Sequence, residues 1–290
     1  MAVTIINEPA FTAEDAPRLA KTDLTQCTLL MNIGPHQLAY ALQDPQDQTF
    51  ISVKGYFFDT GTAGHSLIEI LEQCFDHNKI LFTAFHNTRI SFDTPEFSLI
   101  PSDLYDPALK REYLRFLHPD HPGYVLMYDQ INSQKAVNVF GADKNVAGYL
   151  KKEFPSARFY HAQTAFLCSL IKYEPQDERR AYIRVLTDSV IITILESGKL
   201  LMMQNYPIFH STDALYFTVN ALRQLHLPAG STRIFLSGEI EDDAPLYLEL
   251  LHGLSAVSWL KRPEGFHYVQ AFTEYPDHYF YNLISLATCE

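Results

Sequence analysis

Three strand-like runs followed by helix, strand, helix, strand and helix can be read in the second half of this 290-residue chain, and the same order can be read in the first. A repeated order of eight elements leaves few folds open. CTLLMNI (27–33), QLAYALQD (37–44) and TFISVKGYFFD (49–59) are rich in residues suited to a pleated, half-buried surface. Asp44-Pro45-Gln46-Asp47 supplies turn formers between the second and third. Past Gly61 the apolar period changes to 3.6, with Leu67, Ile70, Leu71, Cys74 and Phe75 on one stripe and Asn78 at its expected end. A strand is expected over 79–85, followed by ISFD and FSLI around Thr94-Pro95, and a helix after Pro107 carries Leu109, Tyr113, Phe116 and Leu117. YVLMYDQINSQKAVNVFGAD (124–143) reads as a hairpin about Asn132-Ser133. A helix with Val146, Tyr149, Leu150 and Phe154, the strand ARFYH and a buried helix over 165–171 close the half.

The second half opens with AYIRVLT, SVIITILES and KLLMMQNYPI, the latter two joined by Glu196-Ser197-Gly198-Lys199. A helix with Leu215, Val219, Leu222 and Leu225 follows, with Thr212 or Asp213 as its expected cap. TRIFLSG is the next strand, Asp242-Asp243 are expected to start a helix, SAVSWL is a strand, and 279–287 is a terminal helix. Equivalent elements lie roughly 150 residues apart, which marks a repeat of whole domains rather than a solenoid. Tyr173-Glu174-Pro175-Gln176-Asp177-Glu178 is polar, Pro-containing and without apolar period, the expected linker. The division predicted is an N-terminal extension over 1–26, a first lobe over 27–173 and a second over 180–290.

Composition narrows the partners. Lys plus Arg number 22 against 34 Asp plus Glu, a net charge of −12, and a surface of that sign repels nucleic-acid backbones and anionic headgroups. The apolar runs are far shorter than the roughly 20 residues of a membrane span. The first 26 residues lack the basic start and apolar core of a signal peptide, and the four cysteines, at 27, 74, 168 and 289, form no C-x-x-C pair. The expectation is a cytoplasmic protein with free thiols that binds neither nucleic acid nor membrane.

The element order, given twice, resembles the ribonuclease H-like fold of the actin-like ATPase superfamily, in which two lobes clasp a nucleotide. FSLIPSDLYDPALKREYLRF (97–116) and FPSARFYHAQTAFL (154–167) resemble a bacterial family of domains of unknown function, a similarity that runs over nearly the whole chain from Cys27. The resemblance implies an α/β protein of two ribonuclease H-like lobes in an actin-like architecture, with hairpins inserted in the first lobe, and no particular activity.

An actin-like ATPase needs a glycine-containing turn after the first strand of each lobe, so that backbone N–H groups cradle phosphate, and acidic residues for Mg²⁺ and the attacking water. The first turn here is Asn32-Ile33-Gly34-Pro35-His36, with Asn for the usual Asp and a proline that removes a donor. The second, Thr187-Asp188-Ser189, has no glycine, although Asp188 could hold a metal-bound water. The adenosine-side pair of glycines is represented by Ser237-Gly238-Glu239. Asn32, Gly34, Thr187, Asp188, Ser189, Ser237 and Gly238 are thus the candidate residues of an interlobe cleft whose phosphate contacts are degraded. The reading that follows is a non-catalytic protein that binds a protein partner through its interlobe cleft or an exposed sheet edge, with no catalytic residue, resident metal or cofactor. The alternative is a nucleotide-dependent ATPase or switch that takes Mg-ATP in the same cleft.

Three other patterns carry chemistry elsewhere. Asp59-Thr60-Gly61-Thr62 matches the aspartic-protease signature, but a second copy is missing and a helix follows at once, so an Asx turn and helix cap explain it. His118-Pro119-Asp120-His121 gathers three possible ligands in a proline-stiffened loop that reads as a connector. The acidic run Glu239–Asp243 reads as a solvated helix cap.

Overall fold

The structure is a computed structural model and describes residues 8–58, 66–176, 178–228, 230 and 232–289. By its internal contacts the chain divides into two units. The first comprises residues 1–168, 264–275 and 282–290, and the second residues 169–263 and 276–281.

The first unit begins with β1 (Phe11–Glu14) and the short α1 (Ala16–Leu19), then β2 (Thr28–Ile33), β3 (Gln37–Asp44), β4 (Thr49–Phe57), α2 (Leu67–His77) and β5 (Asn87–Phe92). An insertion of β6 (Phe97–Pro101), α3 (Lys110–Arg115), β7 (Tyr124–Ile131) and β8 (Ala136–Asp143) precedes α4 (Lys144–Glu153), β9 (Arg158–His161) and α5 (Ala162–Tyr173). The main sheet runs β1-β4-β3-β2-β5-β9. Its β2, β3 and β4 form an antiparallel meander, and β5 and β9 add in parallel beside β2, as crossover helices on a sheet face require. Strands β2 and β3 are buried almost throughout rather than alternating, the sign of a sheet covered on both faces. The insertion is a separate sheet, β6-β8-β7, whose Val137 and Val139 pack with Leu114 of α3 in a small core of their own.

The second unit contains β10 (Arg179–Val185), β11 (Ser189–Glu196), β12 (Lys199–Pro207), α6 (Ser211–Gln224), β13 (Arg233–Ser237), α7 (Pro245–Gly253) and β14 (Val257–Trp259). The chain then gives β15 (His267–Tyr268), which pairs with β4 in the first unit's sheet, and α8 (Tyr281–Ser285). The second sheet runs β12-β11-β10-β13-β14. Counted from its first meander strand this is 3-2-1-4-5, and β4-β3-β2-β5-β9 reads the same way. Ser197 and Gly198, at φ 50° and 73°, make the mirror-image turn that matches strand twist between β11 and β12. Ile183, Ile192, Ile234 and Leu236 of the strands pack with Ala214, Ala221 and Leu222 of α6 and Leu250 of α7.

Several expectations differ from this picture. The segment read as a strand over 79–85 is a 3-10 turn over Lys79–Phe82 and a loop, whose Leu81 and Phe85 are buried without a strand neighbour among the described residues. The residues assigned to an extension, 1–26, include β1, which pairs with β4 over four residues. The terminal helix is limited to Tyr281–Ser285 and a 3-10 turn, Leu286–Thr288. Helix α7 starts at Pro245 after Ala244, so the acidic run lies upstream of its first turn and does not cap it. His210, rather than Thr212 or Asp213, is the N-cap of α6, while the Asp213 carboxylate accepts the N–H groups of Phe209 (2.8 Å) and His210 (2.9 Å). The contact boundary falls inside α5, after Cys168, rather than in the polar segment that follows. That segment is held in place, with Arg180 bonded to Glu174 (3.0 Å) and Glu178 (3.4 Å). Among the described residues no helix is long and apolar enough to cross a membrane.

Candidate functional site

Asn32 and Gly34 belong to the first unit, and Thr187, Asp188, Ser189, Ser237 and Gly238 to the second. Each set lies where strands of its sheet end.

Parallel pairing of β2 with β5 puts Asn32 beside Ser91 at the end of the sheet. Three bonds engage the Asn32 amide there. Its Oδ1 accepts from Ser91 Oγ (2.6 Å) and Asn282 Nδ2 (3.3 Å), and its Nδ2 donates to Asp93 Oδ2 (3.2 Å). All four residues are buried. Immediately beyond, Gly34 N–H donates to Gln37 C=O (2.8 Å), which closes a two-residue hairpin with Pro35 and His36 at its tip. Gly34 has no left-handed φ, and a Cβ on it would meet only ordinary contacts, the nearest with Asp93 at 3.5 Å.

The second unit makes the same turn with different residues. Leu186 N–H donates to Ser189 C=O (2.9 Å), with Thr187 and Asp188 exposed at the tip and Ser189 buried. Asp188 uses its carbonyl to accept from Ile208 N–H (2.9 Å), and its carboxylate has no partner among the described residues. Gly238, at the end of β13, has φ 113°, and a Cβ there would lie 2.3 Å from Val185 C=O. Only glycine fits that crossing. Its N–H donates to His278 C=O (3.2 Å), while the neighbouring Ser237 Oγ is buried without a partner among the described residues.

The structure adds residues that motif reading passed over. Counted back from the two turns, the second unit's equivalent of Asn32 is Arg184, 3% exposed and paired in register with Ser237. A lone basic residue between Ile183 and Val185 in AYIRVLT was the available signal. A second cluster surrounds the start of α5. His161 Nδ1 accepts from Gln163 N–H (3.3 Å), and its Nε2 faces Thr94 C=O (3.0 Å), which can only accept. Those partners fix the ring as the neutral tautomer with its proton on Nε2. Asp129 Oδ2 accepts from His161 N–H (2.7 Å), and burial pushes this carboxyl up to about 7 against the opposing hydrogen bonds from His161 and Thr164. Asn138 Nδ2 donates to Thr164 Oγ1 (3.0 Å), and among the described residues both amide atoms of the fully buried Gln163 lack a partner.

The other motifs are engaged elsewhere. His118 Nε2 faces Phe97 C=O (3.0 Å), Asp120 accepts two bonds from Arg111 (3.0 Å each), and His121 stacks on Tyr124. Among the described residues no three or more His, Cys, Asp or Glu side chains are grouped to hold a metal ion. Asp59-Thr60-Gly61-Thr62 lies outside the described residues.

The strand order and these turns can be set beside known proteins. The family described as "Protein of unknown function (DUF3822)" matches residues 16–252. The chain belongs to that family. No curated protein matches this DUF3822 member at a significant level. Among solved structures, a Bacteroides thetaiotaomicron protein with an actin-like ATPase fold and unknown function is 21% identical, with a TM-score of 0.80, covering 93% of this chain and 99% of its own. A chain of the PilM-PilN type IV pilus biogenesis complex is 15% identical, with a TM-score of 0.63, covering 90% and 97%. The DUF3822 chain therefore has an actin-like fold.

Proposed function

We propose that this protein is a non-catalytic actin-like-fold protein that works by binding a protein partner. The observation that carries the reading is that one backbone donor at each strand-end turn is consumed within the chain: Gly34 N–H by Gln37, Leu186 N–H by Ser189, and Gly238 N–H by His278. Pro35 has no donor to give. Nucleotide phosphates are held by N–H groups that point at them, so these turns fit a triphosphate poorly. Asn32 and Arg184 at the two strand ends supply no carboxylate for Mg²⁺. Partner binding is supported by the similarity in fold to a chain of the PilM-PilN complex, and by the nine-residue β12 at an outer edge of its sheet, where an added strand could pair.

A second reading, a nucleotide-dependent switch, is favoured by Asp188, whose exposed carboxylate is uncommitted, and by the unpartnered Ser237 hydroxyl. A thermal-shift titration separates the two, because a ligand specific for the folded state raises stability by RT ln(1 + [L]/Kd). The expected outcome is no shift with Mg-ATP or Mg-GTP beyond that of Mg²⁺ alone. A saturable shift, together with ATP turnover that disappears in Asp188→Ala, would establish the switch instead.

A further inference from the structure

We infer that the first unit binds a small organic cation of the alkylammonium class in an aromatic cavity where α2 and α4 end. This site is separate from the strand-end turns and does not depend on the partner-binding reading.

The cavity exists because the loop over 79–85 spans the two helix ends instead of pairing as a strand. Its volume is about 310 Å³, within the range of small-ligand pockets. Phe75, Phe82, Phe85 and Phe154 supply aromatic walls, and Glu153 adds a carboxylate. Phe75 lies 6.2 Å from Phe82 and 5.8 Å from Phe154, centroid to centroid, so the rings form one cluster. Phe82 is 51% exposed, so its ring is accessible from solvent.

Among the described residues of the lining, Glu153 carries the charge, and its sign favours a cation. Helix α2 ends at His77 and α4 at Glu153, and of these two end residues Glu153 lines the cavity. The Glu153 carboxylate pairs with Lys152, whose Nζ is 3.8 Å away and whose side chain is 81% exposed. Asp76 holds Lys79 (2.9 Å), and that same ammonium lies 5.3 Å from the Phe82 centroid, so this ring already attracts a cation of the chain itself. Tyr149 is stacked on Phe75, and burial, with smaller contributions from Glu153, Glu72 and Asp76, pushes its hydroxyl up to about 12.

Aromatic walls cannot replace the water of a metal ion or a bare ammonium, whereas an alkylated ammonium carries an apolar shell and a diffuse positive charge. Cation–π attraction and apolar contact then act together. Choline and tetramethylammonium are the matching probes.

The test uses the full chain and calorimetric titration with choline, tetramethylammonium and 3,3-dimethyl-1-butanol, the uncharged carbon analogue of choline. Saturable binding of both cations is expected, with the analogue about tenfold weaker or more, the scale of a desolvated cation–π contact. Phe82→Leu keeps an apolar wall and, at an exposed position, the fold. It should weaken choline several-fold and leave the analogue unchanged, while Glu153→Gln should weaken both cations. Equal binding of choline and its analogue, or no binding of either cation by a folded protein, would overturn the proposal. So would binding to phosphatidylcholine vesicles without binding to free choline, which would assign the site to a membrane headgroup.

Discussion

Two glycines that look alike in the sequence make opposite demands on the chain. Gly34 and Gly238 both end strands, yet Gly34 has room for a methyl group, while Gly238 combines φ 113° with a crossing 2.3 Å from Val185 C=O. Gly238→Ala is therefore expected to cost about 3 kcal/mol or more, and Gly34→Ala less than about 1, in urea unfolding followed by circular dichroism. Equal losses would mean that the two turns are under the same constraint. The difference was not legible in the residue types, since both glycines follow a strand-forming run. It depends on which backbone crosses the strand end, a matter of tertiary contact. The same holds for Asn32: its identity suggested a missing metal ligand, but only the fold shows the amide engaged by Ser91, Asp93 and Asn282, the last 250 residues away in sequence.

At the scale of elements, strands with many apolar residues were legible and short or exceptional ones were not. β2, β3, β4, β10, β11 and β12 fall where the sequence places them, because each carries a long β-suited run bounded by turn formers. β1 and β15 have four and two residues, too few for periodicity to register, and the loop over 79–85 shows that apolar content without a strand neighbour does not make a strand. Asp129 on β7 ties the inserted sheet to the end of β9 through His161 N–H, and this link carries a pH signature. A buried carboxyl raised to about 7 binds its proton more tightly in the folded state than in the unfolded one, where its pKa is about 3.9. Its contribution is fully present below about pH 4 and is lost as pH rises towards 7. Asp129→Asn keeps an acceptor for His161 and cannot ionise. The melting temperature of the wild type relative to Asp129→Asn should therefore fall between pH 4 and 7; a constant difference would show that the carboxyl is not raised.

At the scale of the molecule, the two units are interleaved along the chain, which leaves the first for the second after Cys168, returns at Glu264, leaves at Pro276 and returns at Asn282. The sequence supports cutting at the polar segment after Tyr173, but the first unit also requires residues from the far end. Arg89 donates to Leu286 C=O (3.0 Å) and Ala287 C=O (2.8 Å), Asn282 bonds Asn32, and Tyr275 Oη both accepts from Thr12 N–H (3.0 Å) and donates to Thr12 C=O (3.2 Å). A fragment of residues 1–173 leaves Asn32 and Arg89 without these partners and uncovers the β4 edge that β15 pairs. It should lose cooperative melting and bind a hydrophobic dye, whereas a sharp transition like that of the full chain would show that the returning segments are dispensable. The same interleaving sets an order of assembly. A ribosome delivers the whole of β10–β14 before it delivers Asn282, so the unit that is translated first is the one completed last, and its open sheet must wait, in need of protection from wrong pairings, while its neighbour is being made.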